Sequence, residues 1–166
     1  MDQSFDPTIP GYLEGEVGAI VLSAPATFPP PALRRLVVDP GKPFDVTVEW
    51  EIFGDLVPLW LGALDPSWQV EVYAESIGPG PEVTIGSATV AKTATQPCTV
   101  NTAKSNCTKY SAKVTVAAGT LPEDDGTSSG IYKLVVTVFL NSNLPAPGFD
   151  LSGFTEGPII RVESPE

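Results

Sequence analysis

Histidine does not occur anywhere in the 166 residues. Its absence removes the Ser-His-Asp and Cys-His routes to an activated nucleophile and most zinc hydrolases, whose metal is held by imidazole. Cysteine is nearly as scarce, with two residues, and nine Lys and Arg face twenty Asp and Glu, a formal net charge of −11. A nucleic-acid binder carries a basic footprint, and an anionic membrane surface attracts polybasic segments; neither pattern is present. The charge suits solubility, cationic partners or metal cations instead. No apolar run reaches the ~18 residues of a membrane span, so no membrane insertion is expected. The opening residues, Met1-Asp2-Gln3-Ser4-Phe5-Asp6, lack the basic and apolar regions of a secretory leader. There is no phosphate-binding glycine motif.

What is present is apolar matter cut into short runs. Hydrophobic residues make up 42% of the chain, and charged residues only 17%, below the usual ~25% of soluble domains. The 18 Pro and 15 Gly fall mostly between apolar runs, as turns do in an all-β protein. The longest strongly apolar run is Gly130 to Leu140 (Gly-Ile-Tyr-Lys-Leu-Val-Val-Thr-Val-Phe-Leu). Its β-branched and aromatic content marks a central strand. One face carries Tyr132, Leu134, Val136, Val138 and Leu140 and should look into a core. The other carries Ile131, Lys133, Val135, Thr137 and Phe139, too apolar to be fully wet, so something is expected to cover part of it.

Phe44 to Ile52 alternates without error: Phe44, Val46, Val48, Trp50 and Ile52 face one way, and Asp45, Thr47, Glu49 and Glu51 the other. Trp68 to Glu75 repeats the pattern with Trp68, Val70, Val72 and Ala74 inward, and Tyr110 to Ala117 does so again. These are half-buried strands with one wet face. Glu16–Leu22, Val83–Lys92 and Pro158–Glu163 read as further strands, Leu33–Val38 as a short piece, and Pro145–Pro158 as a loop. Residues 1–15 are polar and turn-rich and read as an extended arm; Pro25 to Pro31 reads as a stiff, polyproline-like spacer. No segment has convincing helical periodicity. Seven to nine strands separated by turn signals predict an all-β, two-sheet antiparallel sandwich with a proline-rich N-terminal arm. Residues 1–34 form the arm and first strand, and residues 35–166 form one core.

The order of these features resembles the immunoglobulin-like or fibronectin-type sandwich over roughly residues 35–164. Phe44–Ile52 looks like its second strand, and Trp68-Gln69-Val70-Glu71-Val72 like its third, which often carries the core Trp. Gly130-Ile131-Tyr132-Lys133-Leu134 resembles the tyrosine corner, with Leu134 where an antibody domain has its second Cys. The resemblance implies that the Tyr132 hydroxyl bonds backbone in the Pro122–Ser129 region. The inter-sheet disulfide of antibody domains is absent, since Phe44–Ile52 contains no Cys.

Four stretches could carry chemistry. Cys98 and Cys107 flank a polar loop that a hairpin could close, and they are expected to form a disulfide worth about 2–3 kcal/mol. A two-Cys metal site would find no His to complete it. The disulfide favours an oxidising setting, extracellular, cell-surface or virion. Asn106-Cys107-Thr108 fits the glycosylation sequon, but the central Cys speaks against its use. Phe53–Leu64 is far more apolar than an ordinary loop. It either caps one end of the sandwich, or adds a short strand, or exposes a contact patch centred on Leu59, Trp60 and Leu61. Pro122–Ser129 is rich in the oxygen ligands that Ca2+ favours, without the spacing of an EF-hand. Glu49, Glu51, Glu71 and Glu75 could pair as glycosidase carboxylates, but their place on a wet sheet face reads as solvated surface. The expectation is a non-enzymatic structural or interaction module, a subunit of a larger assembly such as a surface, shell, fibre or virion decoration layer. The alternative is a carbohydrate-binding or adhesive module using Trp60, Tyr73 or Tyr12 as stacking platforms.

Overall fold

A computed structural model describes residues 3–23, 36–142 and 150–164. Among the described residues, ten strands and one short helix follow in order: β1 (Gln3–Ser4), β2 (Glu14–Val17), β3 (Val21–Ser23), β4 (Val37–Val38), β5 (Phe44–Phe53), α1 (Val57–Gly62), β6 (Ser67–Ser76), β7 (Val83–Ala91), β8 (Thr108–Val116), β9 (Ile131–Leu140) and β10 (Leu151–Val162). They form two sheets packed face to face, an all-β sandwich.

In the first sheet β5 is central. It pairs along one edge with β2 and β3 and along the other with β8, while β1 lies outside β2. The strand expected over Glu16–Leu22 is thus two strands on one neighbour, interrupted at residues 18–20. The second sheet runs β4-β10-β9-β6-β7. All its pairs are antiparallel except β4, which joins β10 in parallel at Val37 and Val38.

The period-two pattern dictates the core. Phe44, Val46, Val48, Trp50 and Ile52 from β5 meet Trp68, Val70, Val72 and Ala74 from β6, with Tyr132, Leu134, Val136, Val138 and Leu140 of β9 fully enclosed among them. Trp68 is at the centre of an aromatic cluster, with ring centroids 5.5 Å from Trp50, 5.3 Å from Tyr110 and 5.8 Å from Phe5.

The fourth member of that cluster changes the reading of the N-terminus. Residues 3–17 fold back through a turn at Pro10–Tyr12 and are docked, where an extended arm was expected: β1 pairs back on β2, and Asp6 exchanges two backbone bonds with Ser152 of 2.8 and 2.9 Å. Phe5, Leu13 and Val17 belong to the common core. The polyproline stretch Pro25–Pro31 lies outside the described residues. β10 also begins seven residues before the expected Pro158. Glycine and proline in Ser152–Pro158 imitate a loop, yet Gly157, at φ 87°, and Pro158 form a bulge that lets the ladder with β9 resume at Ile159.

The Tyr132 hydroxyl donates to Pro122 O at 3.2 Å and lies 2.8 Å from the Ser128 hydroxyl, tying the loop before β9 to the strand. Tyr132→Phe removes the donor to the half-buried Pro122 carbonyl and leaves the Ser128 hydroxyl with Gly130 N alone, so it should cost about 1–2 kcal/mol in urea melts. A loss under about 0.5 kcal/mol would show that the bond does not hold the corner.

Candidate interaction face

The register of β6, β9 and β10 places outward side chains in rows across the second sheet. Gln69, Phe139 and Ser152 form one row, Glu71, Thr137 and Phe154 the next, and Tyr73, Val135 and Glu156 a third. Past the β10 bulge, Glu75, Lys133 and Ile159 form a fourth. Alternation requires an outward-facing half on every strand, but it does not require that half to be apolar. Here it is apolar at its two ends: Phe139 and Phe154 are 36% and 45% exposed at one, and Ile131 and Ile159 38% and 53% at the other. Phe139 and Phe154 sit diagonally on neighbouring strands. A shallow groove of about 640 Å³ crosses the strands beside them, walled by Ser4 and Asp6 at one end and by Gln69 and Glu71 at the other.

Charge lies between these two apolar pairs and beside them. Lys133 binds Glu75 at 2.9 Å and Glu156 at 3.4 Å, and those carboxylates hold its amine above the usual lysine range. Glu71 accepts the Tyr73 hydroxyl, and that hydrogen bond pushes the phenol's pKa up. Among the described residues, Asp6 and Glu71 pair with no cation. The outer face of the first sheet differs, because its charges match each other: Lys109–Glu49 at 2.8 Å and Lys113–Asp45 at 2.7 Å.

The Phe53–Leu64 stretch is neither strand nor open patch. Its middle winds into α1, with Val57 and Leu64 buried in the core and Trp60 and Leu61 packed half-buried against it. Only Leu59 of the expected trio stands free, at 72% exposure. Lys92 closes the far end of the helix by donating to Leu61 O and Leu64 O at 2.7 and 2.6 Å. The helix escaped sequence reading because six residues are too few to show a 3.6 period.

The four glutamates do not share a face. Glu71 and Glu75 lie on the second sheet, Glu49 and Glu51 on the first, on opposite sides of the sandwich. Glu51 is not wet either. The Cys98–Cys107 disulfide closes a loop over it. The carboxylate accepts Thr99 N at 2.6 Å, Val100 N at 3.0 Å and Asn101 N at 2.8 Å, with the Asn101 amide at 3.1 Å. Burial pushes its pKa up, but the loop's donors outweigh that and bring it down to about 2. Glu51, Cys98 and Cys107 offer ligand atoms within 4.8 Å of one another. Both sulfurs are committed to the disulfide and the carboxylate to N–H donors, so this is a structural junction and does not fit a metal. In the Pro122–Ser129 loop, Asp124 and Asp125 turn back on their own backbone, accepting Gly126 N at 3.2 Å and Thr127 N at 2.8 Å. Among the described residues, the carboxylates of this loop form no three-ligand group for Ca2+.

Sequence reasoning found Ile131, Val135 and Phe139 but missed Phe154, which lay in the stretch read as a loop, and Ile159, whose expected strand Pro158–Glu163 was not assigned to this face. The alternation Leu151, Gly153, Thr155 against Phe154 and Glu156 was the signal available. No family model matches the chain, and no curated protein matches it.

Proposed function

We propose that the chain is a non-enzymatic, immunoglobulin-like interaction module that serves as a subunit of a larger protein assembly, such as a surface, shell, fibre or virion decoration layer. The observation that carries this reading is the pair Phe139 and Phe154, adjacent on neighbouring strands beside the groove, with Ile131 and Ile159 at the other end of the same sheet face. Adjacent exposed aromatic side chains on a wet sheet face support a contact site. The partner's chemistry follows from charge. Unpaired Asp6 and Glu71 and an overall −11 repel an acidic surface, so the face fits a protein partner that is apolar at its centre and basic at its rim. Leu59 on α1 supplies a separate, smaller contact. The tyrosine-corner geometry at Tyr132 and the core Trp68 support the immunoglobulin-like resemblance.

The test replaces Phe154 with a photo-crosslinking phenylalanine analogue in the producing cells, with Val21 on the opposite sheet as control. A discrete adduct with a basic polypeptide from position 154 alone is expected, weakened by salt. Equal adducts from both positions, an acidic partner, or no adduct would overturn the reading. The groove supports a second reading, a glycan-binding module, because Phe139 and Phe154 lie beside Gln69, Glu71 and Thr137. Exposed Tyr12 and half-buried Tyr73 add aromatic surface outside it.

A further inference from the structure

The two long outer strands of the sandwich are guarded unequally. β8 carries Lys109 and Lys113. Its open edge is blocked at one end by Gln96, which exchanges bonds of 2.9 and 3.0 Å with Lys109. β7 reads Val-Thr-Ile-Gly-Ser-Ala-Thr-Val-Ala, with no charge and no proline, and beyond it the second sheet has no further strand among the described residues. Such an edge is a template for another strand.

The backbone groups it offers follow from the ladder. Asp65 N and Ile77 N bond toward the β9 side, and Pro66 O accepts Lys92 N on the β7 side. Alternation then points Trp68, Val70 and Val72 at β7, toward their partners Val90, Ala88 and Gly86. The N–H and C=O groups of Ser87 and Thr89 therefore face the open edge. A bulge opposite Val72 and Tyr73 limits the free stretch at one end. The Ala94 N bond to Ala91 O limits it at the other.

We propose that this edge pairs with the same strand of a second copy, antiparallel about a two-fold axis at Ala88. Ser87 then exchanges bonds with the partner's Thr89, and Ala88 faces the partner's Ala88 in a narrow, non-hydrogen-bonded pair that only small side chains fill well. Half-buried Ala88 and Val90, at the rim of the core, gain cover from their counterparts. The choice of a second copy rests on charge. A charged foreign strand finds no counter-charge along Ser87–Ala91, whereas a second β7 is neutral and matches Ser to Thr and Ala to Ala. On this face, Glu71 of each copy lies three strand spacings from the other and two residues out of line with it, roughly 16 Å away. That exceeds the Debye length of about 10 Å at 0.1 M salt. The remaining repulsion between two −11 chains gives this pairing a signature: it tightens as salt rises, the reverse of a basic partner docking on the apolar face. The two proposals therefore fail separately.

The test is sedimentation equilibrium of the full chain at about 0.05 M and 0.5 M NaCl, with Thr89→Pro, Ser87→Lys and Ala88→Cys. The Thr89 N–H faces the open edge, so proline there removes no internal ladder bond. Ser87→Lys decides the matter should Thr89→Pro unfold the chain. A monomer–dimer equilibrium several-fold tighter at the higher salt is expected, abolished by either substitution with the melting temperature unchanged. The described cysteines are already bonded, so Ala88→Cys should give a covalent dimer on mild oxidation. A wild-type monomer at both salts with Ala88→Cys uncrosslinked would overturn the proposal, as would a dimer indifferent to Thr89→Pro and Ser87→Lys.

Discussion

Replacing Glu51 with Ala is expected to lower the unfolding free energy by about 3–5 kcal/mol, a loss typical of breaking a buried, hydrogen-bonded charge site. The residue is 5% exposed and stands on an outer face, where truncating a side chain ordinarily changes little. Three consecutive backbone N–H groups, from Thr99, Val100 and Asn101, converge on its carboxylate. Without it those donors are left unpaired between the loop and β5. The same geometry makes the site pH-sensitive. The carboxyl's pKa falls from 4.5 in the free residue to about 2 in the fold. A depressed carboxyl stabilises the fold fully above the unfolded pKa and loses that contribution as pH falls through the folded one. About 3 kcal/mol should therefore disappear between roughly pH 5 and pH 2. Urea melts across that range should show the decline in the wild type and its removal in Glu51→Ala. Opening the disulfide, about 3 kcal/mol by loop entropy, should add less than its full value to Glu51→Ala, because both devices hold one loop. A Glu51→Ala loss under about 1 kcal/mol at neutral pH would mean that the loop rests on the strand without needing the carboxylate.

Glu51 also marks where sequence reading stops. Its position in the alternation of Phe44–Ile52 correctly sets it on the outward face. Nothing in that strand tells that residues 99–101, about fifty positions later, fold back over it. The strands were legible for a simple reason: period-two patterning with β-branched and aromatic residues is local, so Phe44–Ile52, Trp68–Glu75 and Tyr132–Leu140 carry their own inward faces. The first half of β10 was not legible, because its glycines and proline signal turns locally and their use is set elsewhere. Gly153 is small because a ring lies on it, and Gly157 turns a bulge. The candidate face was half visible for the same reason. Ile131, Val135 and Phe139 follow from the β9 alternation, while Phe154 needed the first half of β10 to be recognised as strand and Ile159 needed its pairing with Lys133 of β9.

The ring on Gly153 belongs to Phe5, and Phe5→Ala should cost about 3–4 kcal/mol. That is a fall of roughly 6–15 °C in melting temperature for a chain of this size. A lone phenylalanine between Ser4 and Asp6 gives a sequence reader no reason to expect burial. Its seat is built by others. A Cβ on Gly15 would approach its ring to 2.6 Å, a Cβ on Gly153 to 3.1 Å, and the ring meets Trp68 in a T-shaped contact at the aromatic cluster. The slot admits a ring because both neighbours lack side chains, so Gly15→Ala should destabilise the fold chiefly by displacing Phe5, with a smaller cost from the Glu51 carbonyl and the Ile52 side chain, which a Cβ would meet at 3.0 and 3.1 Å. The two substitutions should therefore be non-additive: once the ring is gone the largest clash of the added methyl is relieved, and Phe5→Ala with Gly15→Ala should lose less than the sum of the two single losses. Deleting residues 1–6 should match Phe5→Ala or exceed it, because it also removes the Asp6–Ser152 bridge. Calorimetry of these four variants beside the full chain decides between a docked strand and a dispensable arm. If the deletion melts within about 2 °C of the full chain, the N-terminal segment contributes nothing to the sandwich and the slot between the two glycines holds no ring in solution.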